Sequence, residues 1–245
     1  ARTAAAGVIA NSAATAEALR RAGGPRARVI HNGIDASLFE GLDRQAARRD
    51  LLAETGLEPD RPVVGVFSRL AEWKGQAVLL EALTRLPQVQ AILVGGPLFG
   101  EEAYEAELRS IIAVRGLETR VRMLGARCDV PSLMAGVDVA VHASIAPEPF
   151  GRVIVEAMLA GTPVIATRAG GAVELVADGE TGLLVPPGDA EALAGAIRAL
   201  LEEPAQFGRM AERARAMAQA RFSLSRCLEA VEAVLAGVRD GKRSL

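Results

Sequence analysis

Short apolar runs at 63–67, 89–94, 121–124, 137–142, 164–166 and 182–185 alternate along this chain with longer stretches of helical period. Nothing else in the sequence restricts the fold as much. Val78, Leu79, Leu83 and Leu86 recur at helical spacing, as do Leu108, Ile111, Ile112 and Val114. Runs that are apolar throughout suit strands covered on both faces, and no hairpin turn signal joins one run to the next. The expected fold class is therefore α/β, a doubly wound, mostly parallel sheet with helices on both faces. Right-handed crossovers put the C-terminal ends of such strands along one edge, where ligands of these sheets bind. The loops 68–75, 95–100, 125–129, 144–151 and 168–171 all follow runs, so they should converge there.

The two ends read differently. From Asp189 the pattern predicts helices at 189–202, 204–220 and 223–238, a helical C-terminal tail. In the last, Leu224, Leu228, Val231, Leu235 and Val238 form one apolar stripe behind an N-cap at Ser223. Residues 1–34 read as strand, helix, short strand and turn, with no partners of their own in sight. A chain that opens on Ala1 and enters a strand-like run at 4–10 is expected to be a piece whose upstream part is missing. We divide it into 1–34, the end of a preceding domain plus a crossover; 35–222, the sheet domain; and 223–245, a C-terminal helix packing back towards that preceding domain. Residues 1–28 are then expected to exchange their amide protons fast.

Composition removes several function classes. The 245 residues are 50% hydrophobic, enough for a substantial core, and the net charge of −2 mixes both signs. Nucleic acid and acidic membranes have no electrostatic attraction to such a chain, and 3% aromatic content supplies no base-stacking platform. Cys128 and Cys227 lie far apart with no neighbouring His or Cys, which argues against a metal site or a disulfide framework and for a reducing, cytoplasmic setting. No apolar stretch approaches the roughly 18 residues of a membrane span.

Chemistry concentrates in Glu148-Pro149-Phe150-Gly151-Arg152-Val153-Ile154-Val155-Glu156. Its carboxylates lie eight positions apart, astride a Phe-Gly step that should open a helix. A strand, a turn and a helix N-terminus together leave free backbone N–H groups pointing outward, a natural phosphate site. Glu156 lies about 8 Å along the helix axis from Gly151. An elongated ligand with sugar, phosphate and ribose in line suits that layout, although a glutamate on a solvated helix face is the plain alternative for Glu156. After the first central run come Arg69, a planar fork of donors, and Lys74, a compact point charge expected to start the next helix; both suit a diphosphate. Gly95-Gly96-Pro97-Leu98-Phe99-Gly100 misses the dinucleotide spacing and reads as a turn into a helix. Gly170-Gly171 with Glu174 reads equally as ligand-facing amides or as a helix start. With His31 and His142 alone, a Ser-His-Asp hydrolase would need Ser144 or Ser68 beside His142, and no G-x-S-x-G elbow is present.

Taken together, Glu148 to Glu156, Arg69-Leu70, Lys74-Gly75, His31-Asn32-Gly33-Ile34-Asp35, Ala160-Gly161-Thr162-Pro163-Val164-Ile165 and Gly179-Glu180-Thr181-Gly182-Leu183-Leu184-Val185 resemble, in order and spacing, the family-4 retaining glycosyltransferases of the GT-B fold. The resemblance runs from Val8 to Phe222. It implies one Rossmann-like half of that fold, the half that binds a nucleoside-diphosphate sugar. It implies that Arg69 and Lys74 hold the diphosphate in place of a metal ion, so that no cofactor is needed. Glu148 would hold hydroxyls of the transferred sugar, and the amides of Phe150, Gly151 and Arg152 would contact sugar or phosphate. Glu156 would accept both ribose hydroxyls, and backbone at Gly125-Ala126-Arg127 would edge the base. The chain departs from that family in two ways. The N-terminal domain with its acceptor site is absent, so the chain alone should bind nucleotide weakly and transfer nothing. Position 152 is Arg where a small or aliphatic residue is frequent. A non-hydrolysing sugar-nucleotide epimerase and a non-catalytic nucleotide- or NAD-binding module are the alternatives; the epimerase calls for more catalytic acids and histidines.

Overall fold

The structure is a computed structural model and describes residues 7–239. The described part begins with β1 (Ile9–Ala10), α1 (Ala13–Arg21) and β2 (Arg28–Val29), whose strands, among the described residues, pair only with each other, in parallel. Residues 4–6 of the expected first strand lie outside the described residues, as do 240–245 of the expected last segment. After a 3-10 turn at Ala36–Phe39 comes α2 (Arg44–Thr55), started by Asp43, whose carboxylate accepts from the Gln45 and Ala46 amides. The alternating part follows as β3 (Val63–Phe67), α3 (Gln76–Leu83), β4 (Gln90–Val94), α4 (Glu102–Val114), β5 (Val121–Gly125), α5 (Val130–Gly136), β6 (Val139–His142), α6 (Arg152–Leu159), β7 (Val164–Thr167), α7 (Ala172–Leu175) and β8 (Leu183–Val185). Helices α8 (Ala190–Glu202), α9 (Pro204–Arg221) and α10 (Leu224–Arg239) complete it. Strand starts and ends agree with the apolar runs to within two residues.

Six of these strands form one parallel sheet in the order β5-β4-β3-β6-β7-β8. Every residue of β3, β4, β6 and β7 is buried, which is why those runs are apolar without alternation. One core lies where Phe67, Ile92 and Val94 meet Leu51 of α2, Leu133 of α5 and Ile154 of α6. The other lies where Val64, Val66 and Leu93 meet Leu79 of α3, Leu108 of α4 and Ile197 of α8. From β3 the chain winds outward through β4 to β5, then returns to β6 on the far side of β3. The winding therefore reverses between β3 and β6, the point at the C-terminal edge where ligands of such sheets bind.

One expectation needs correction. The front segment is not without partners: both Glu174 carboxylate oxygens accept from the α1 amides, Ala13 N–H and Ala14 N–H, each at 2.9 Å. The same carboxylate lies 3.1 Å from His31 Nε2, and the His31 ring packs on Phe150 and Phe222. The C-terminal apolar stripe lies uncovered among the described residues: Leu224, Leu228 and Leu235 are exposed, and Val234 is the buried residue of α10. The start of α10 is held by the crossover, through Ile34 N–H to Phe222 O at 2.8 Å and Leu224 N–H to Ile34 O at 3.1 Å.

Candidate active site

The loop after β3 runs beside the loop after β4, with Ser68 N–H on Val94 O and Leu70 N–H on Gly96 O, both at 2.9 Å. Gln76, fully buried, donates to Ser68 Oγ and to the Arg69 carbonyl and so fixes the backbone that carries Arg69. Arg69 pairs with Glu101, and its guanidinium lies 5.7 Å from the Trp73 ring centre and 5.5 Å from that of Phe99. Lys74 does not start a helix. It closes a 3-10 turn at Glu72–Lys74, and α3 begins after Gly75. That turn abuts the loop after β6 through Ile145 N–H to Trp73 O at 2.8 Å.

Here the two loops join chemically. Lys74 Nζ donates to Glu148 Oε2 at 2.6 Å, and both side chains are largely buried. Ser144 Oγ donates to the same oxygen at 3.2 Å, and His142 Nε2 lies 3.4 Å from it. Burial pushes the Glu148 carboxyl up, but the bonds from His142 and Lys74 outweigh it and hold the carboxyl down to about 2. Ser144, His142 and a glutamate are thus neighbours, yet not as a hydrolytic triad. Serine and carboxylate both meet Nε2, while the buried Nδ1 has no partner, so no acid orients the ring from its far side.

Helix α6 starts at Gly151 with φ 98°, a conformation that costs glycine little, and no side chain caps it. Its first amides are free to meet an anion. Ile154, Val155, Ala157, Met158 and Leu159 face the core, which leaves Arg152 and Glu156 together on the uncovered face. Arg152 points outward, its guanidinium on Glu156 Oε1 at 3.3 Å. Two adjoining cavities of 350 and 530 Å³ share Phe67, Ser68, Arg69, Val153 and Glu156. The first is walled by loop 95–98, Ala126, Arg127 and Val130; the second holds Lys74, Glu148, Gly151 and Arg152. They form a trough across the start of α6, with Glu148 in one part and Glu156 at the junction.

The structure thus brings Arg69, Lys74, Glu148, Gly151, Arg152 and Glu156 to one trough. Three further members were expected to act through their backbone. The Phe150 side chain is buried against His31 and Phe222, so only its backbone is placed to meet a ligand. The Arg127 guanidinium is engaged by Asp129 at 2.8 and 2.7 Å and by Glu54, which raises its pKa and leaves its backbone as the useful part. Gly125 ends β5, and its carbonyl accepts from Gly95 N–H at 2.8 Å. Sequence reasoning missed Ser144 and His142 as partners of Glu148, and Asn11 and Asn32 in the wall of the larger cavity. His142-x-Ser144 at the end of a buried run, just before Glu148, was the available signal. A further cavity, of 710 Å³, lies at the opposite edge of the sheet, beside Pro62, Asp138 and Pro163. Its arginines hold the fold together: Arg44 donates to Gly161 O, Thr162 Oγ1 and Val137 O, and Arg48 pairs with Asp138. Among the described residues no group of three or more His, Cys, Asp or Glu side chains is arranged to hold a metal ion, and no helix is long and apolar enough to cross a membrane.

Fold and trough together define a Rossmann-like half of the GT-B type. Residues 47–217 match the family described as glycosyl transferases group 1, and the chain belongs to that family. It is 35% identical over 216 residues to the D-inositol 3-phosphate glycosyltransferase of Mycobacterium marinum, covering 87% of this chain and 45% of that protein. It is 35% identical over 230 residues to the lipopolysaccharide core biosynthesis glycosyltransferase LpsE of Rhizobium meliloti, covering 94% of this chain and 64% of that one. The crystal structure of Anabaena Alr3699/HepE in complex with UDP-glucose superposes with a TM-score of 0.92 at 44% identity, covering 96% of this chain and 65% of that one. This chain therefore spans less than two thirds of the length of each of these relatives.

Proposed function

We propose that this chain is the donor-binding half of a retaining glycosyltransferase that moves a hexose from a nucleoside-diphosphate sugar to an acceptor hydroxyl without a metal ion. The observation that carries the reading is the Lys74–Glu148 pair, 2.6 Å apart beside the uncapped start of α6. A cation, free helix amides and an acceptor for sugar hydroxyls stand there within one trough. Lys74, Arg69 and the α6 amides would meet the negative charge that grows on the departing diphosphate, and preorganised donors stabilise charge where it develops. Glu148 would hold the transferred sugar, and Glu156 the ribose hydroxyls. Backbone at Gly125, Ala126 and Arg127 would border the base. UDP-glucose is the donor of choice, because HepE, at 44% identity, was crystallised with it. In this reading the acceptor site lies in a further domain, and the chain alone binds nucleotide weakly and transfers nothing. The setting is the cytoplasm.

Calorimetric titration with UDP, GDP, ADP and NAD tests this. UDP should bind with the highest affinity of the four, and Lys74→Ala and Glu156→Ala should each weaken it about tenfold or more, the usual effect of losing a charge-assisted bond. NAD binding more tightly than every nucleoside diphosphate would favour a dinucleotide module instead. Unchanged dissociation constants in both variants would remove the assigned roles.

A further inference from the structure

We infer that His142, as the neutral tautomer with its proton on Nε2, is a positioning residue that together with Ser144 fixes Oε2 of Glu148 and leaves Oε1 for a hydroxyl of the transferred sugar. The inference rests on the donor-binding reading above.

Among the described residues, every hydrogen bond to the Glu148 carboxylate goes to one oxygen. Oε2 meets Lys74 Nζ at 2.6 Å, Ser144 Oγ at 3.2 Å and His142 Nε2 at 3.4 Å. A carboxylate oxygen offers about two lone-pair sites, so these donors saturate Oε2 while Oε1 keeps its capacity. Glu148 lines the 530 Å³ part of the trough beside Lys74 and Gly151, where a sugar attached to a diphosphate at the α6 start would lie. The two parts of the carboxylate have separate tasks.

The tautomer follows from burial. His142 is 5% exposed, and its Nδ1 is buried without a partner. A proton on Nδ1 would be a buried donor with no acceptor, and the bare Nε2 would face a carboxylate oxygen. With the proton on Nε2, the ring donates towards Glu148 Oε2 and Ser144 Oγ, the latter 3.2 Å away. Strand and loop hold both residues firmly. His142 pairs in register with Ala166, and the Ser144 carbonyl accepts from Thr167 Oγ1 at 2.8 Å.

A diphosphate at the α6 start competes with Glu148 for Lys74. Without other donors, Glu148 would lose its anchor as the ligand arrived. His142 and Ser144, which carry no positive charge, have no reason to follow the phosphate. They keep the carboxylate in place while Lys74 is shared.

The test uses the chain itself, labelled for NMR at histidine nitrogens and glutamate carboxyl carbons, with calorimetry using UDP and UDP-glucose. The His142 ring should show a protonated Nε2 and a bare Nδ1. In ligand-free protein, His142→Phe should raise the midpoint of the Glu148 titration by about one pH unit, and His142→Gln, which keeps a neutral donor, should recover much of the shift. UDP affinity should stay within about twofold in His142→Phe while UDP-glucose affinity falls about tenfold. Ser144→Ala, the milder change, should shift both readouts in the same direction and serves if His142→Phe does not fold. A proton on Nδ1, an unmoved Glu148 titration, or equal losses for UDP and UDP-glucose would each overturn the role. If the wild-type chain binds neither nucleotide, the donor-binding reading fails and the sugar assignment of Oε1 falls with it; an unmoved titration in a chain that binds UDP normally overturns the positioning role alone.

Discussion

Glu148 is a buried carboxylate whose charge is balanced by Lys74 and which also meets Ser144 and His142, so its protonation is linked to folding. Its carboxyl is held down to about 2 against an ordinary 4.5. Between those values the unfolded chain binds more protons than the fold. The stability it contributes is therefore complete above about pH 4.5 and is lost as pH falls through about 2, an amount on the order of 3 kcal/mol. Urea midpoints measured from pH 6 to pH 2 should fall less steeply in Glu148→Gln than in the wild type. Parallel curves would mean that the linkage lies in other carboxyls. Glu156, on the same helix, is half as long a story: its ion pair with Arg152 reaches solvent, and such pairs contribute little to stability. Its replacement should weaken nucleotide binding without moving the urea midpoint.

At the scale of elements, α1 depends on a residue far along the chain. Its own N-cap is Ser12, which accepts from Thr15 N–H at 2.9 Å, while Glu174 of α7 takes the Ala13 and Ala14 amides that Ser12 leaves free. The carboxylate also suits the positive end of the helix dipole. Among the described residues strands β1 and β2 have no sheet neighbour beyond each other, so this contact is a main tie between the front segment and the rest. Glu174→Ala should speed hydrogen exchange at Ala13 and Ala14 by tenfold or more, matching about 1.5–3 kcal/mol for a charge-assisted bond, and leave β3 to β8 unchanged. Equal acceleration across the large sheet would show that Glu174 supports global stability instead. The sequence had offered two readings of this residue, ligand-facing loop or helix start. Neither included a partner some 160 positions away.

Across the whole molecule, the loops of the C-terminal edge are locked together by close backbone approaches. Gly171 N–H donates to Glu148 O at 2.7 Å, and a Cβ on Gly170 would come within 2.2 Å of that same oxygen, at a φ of +59°. The loop after β7 thus sets the height of the loop that carries Glu148. Gly170→Ala should lower unfolding free energy by about 2 kcal/mol or more, combining left-handed backbone strain with a clash that moves Glu148. UDP-glucose binding should suffer with it. Gly179→Ala is the control: its φ is +77°, but no atom lies within 4 Å, so it should cost only the backbone term, about 1 kcal/mol. Equal losses in the two variants would show that the approach to Glu148 does not matter.

Periodicity and chemistry along the chain sufficed for the strands, for the helices of the C-terminal segment and for the helix opening at Gly151, because burial on both faces, caps and left-handed turns are local demands that a few neighbouring residues can meet. Tertiary structure alone decided that Lys74 and Glu148, 74 positions apart, meet at 2.6 Å, since that contact depends on β6 lying next to β3 and not beyond β5. It also decided that the Phe150 ring turns into the core and that Arg127 is held by Glu54 and Asp129. A side chain's direction and its distant partners are settled by competition among elements for the same space, and residue order along one segment carries no record of that competition.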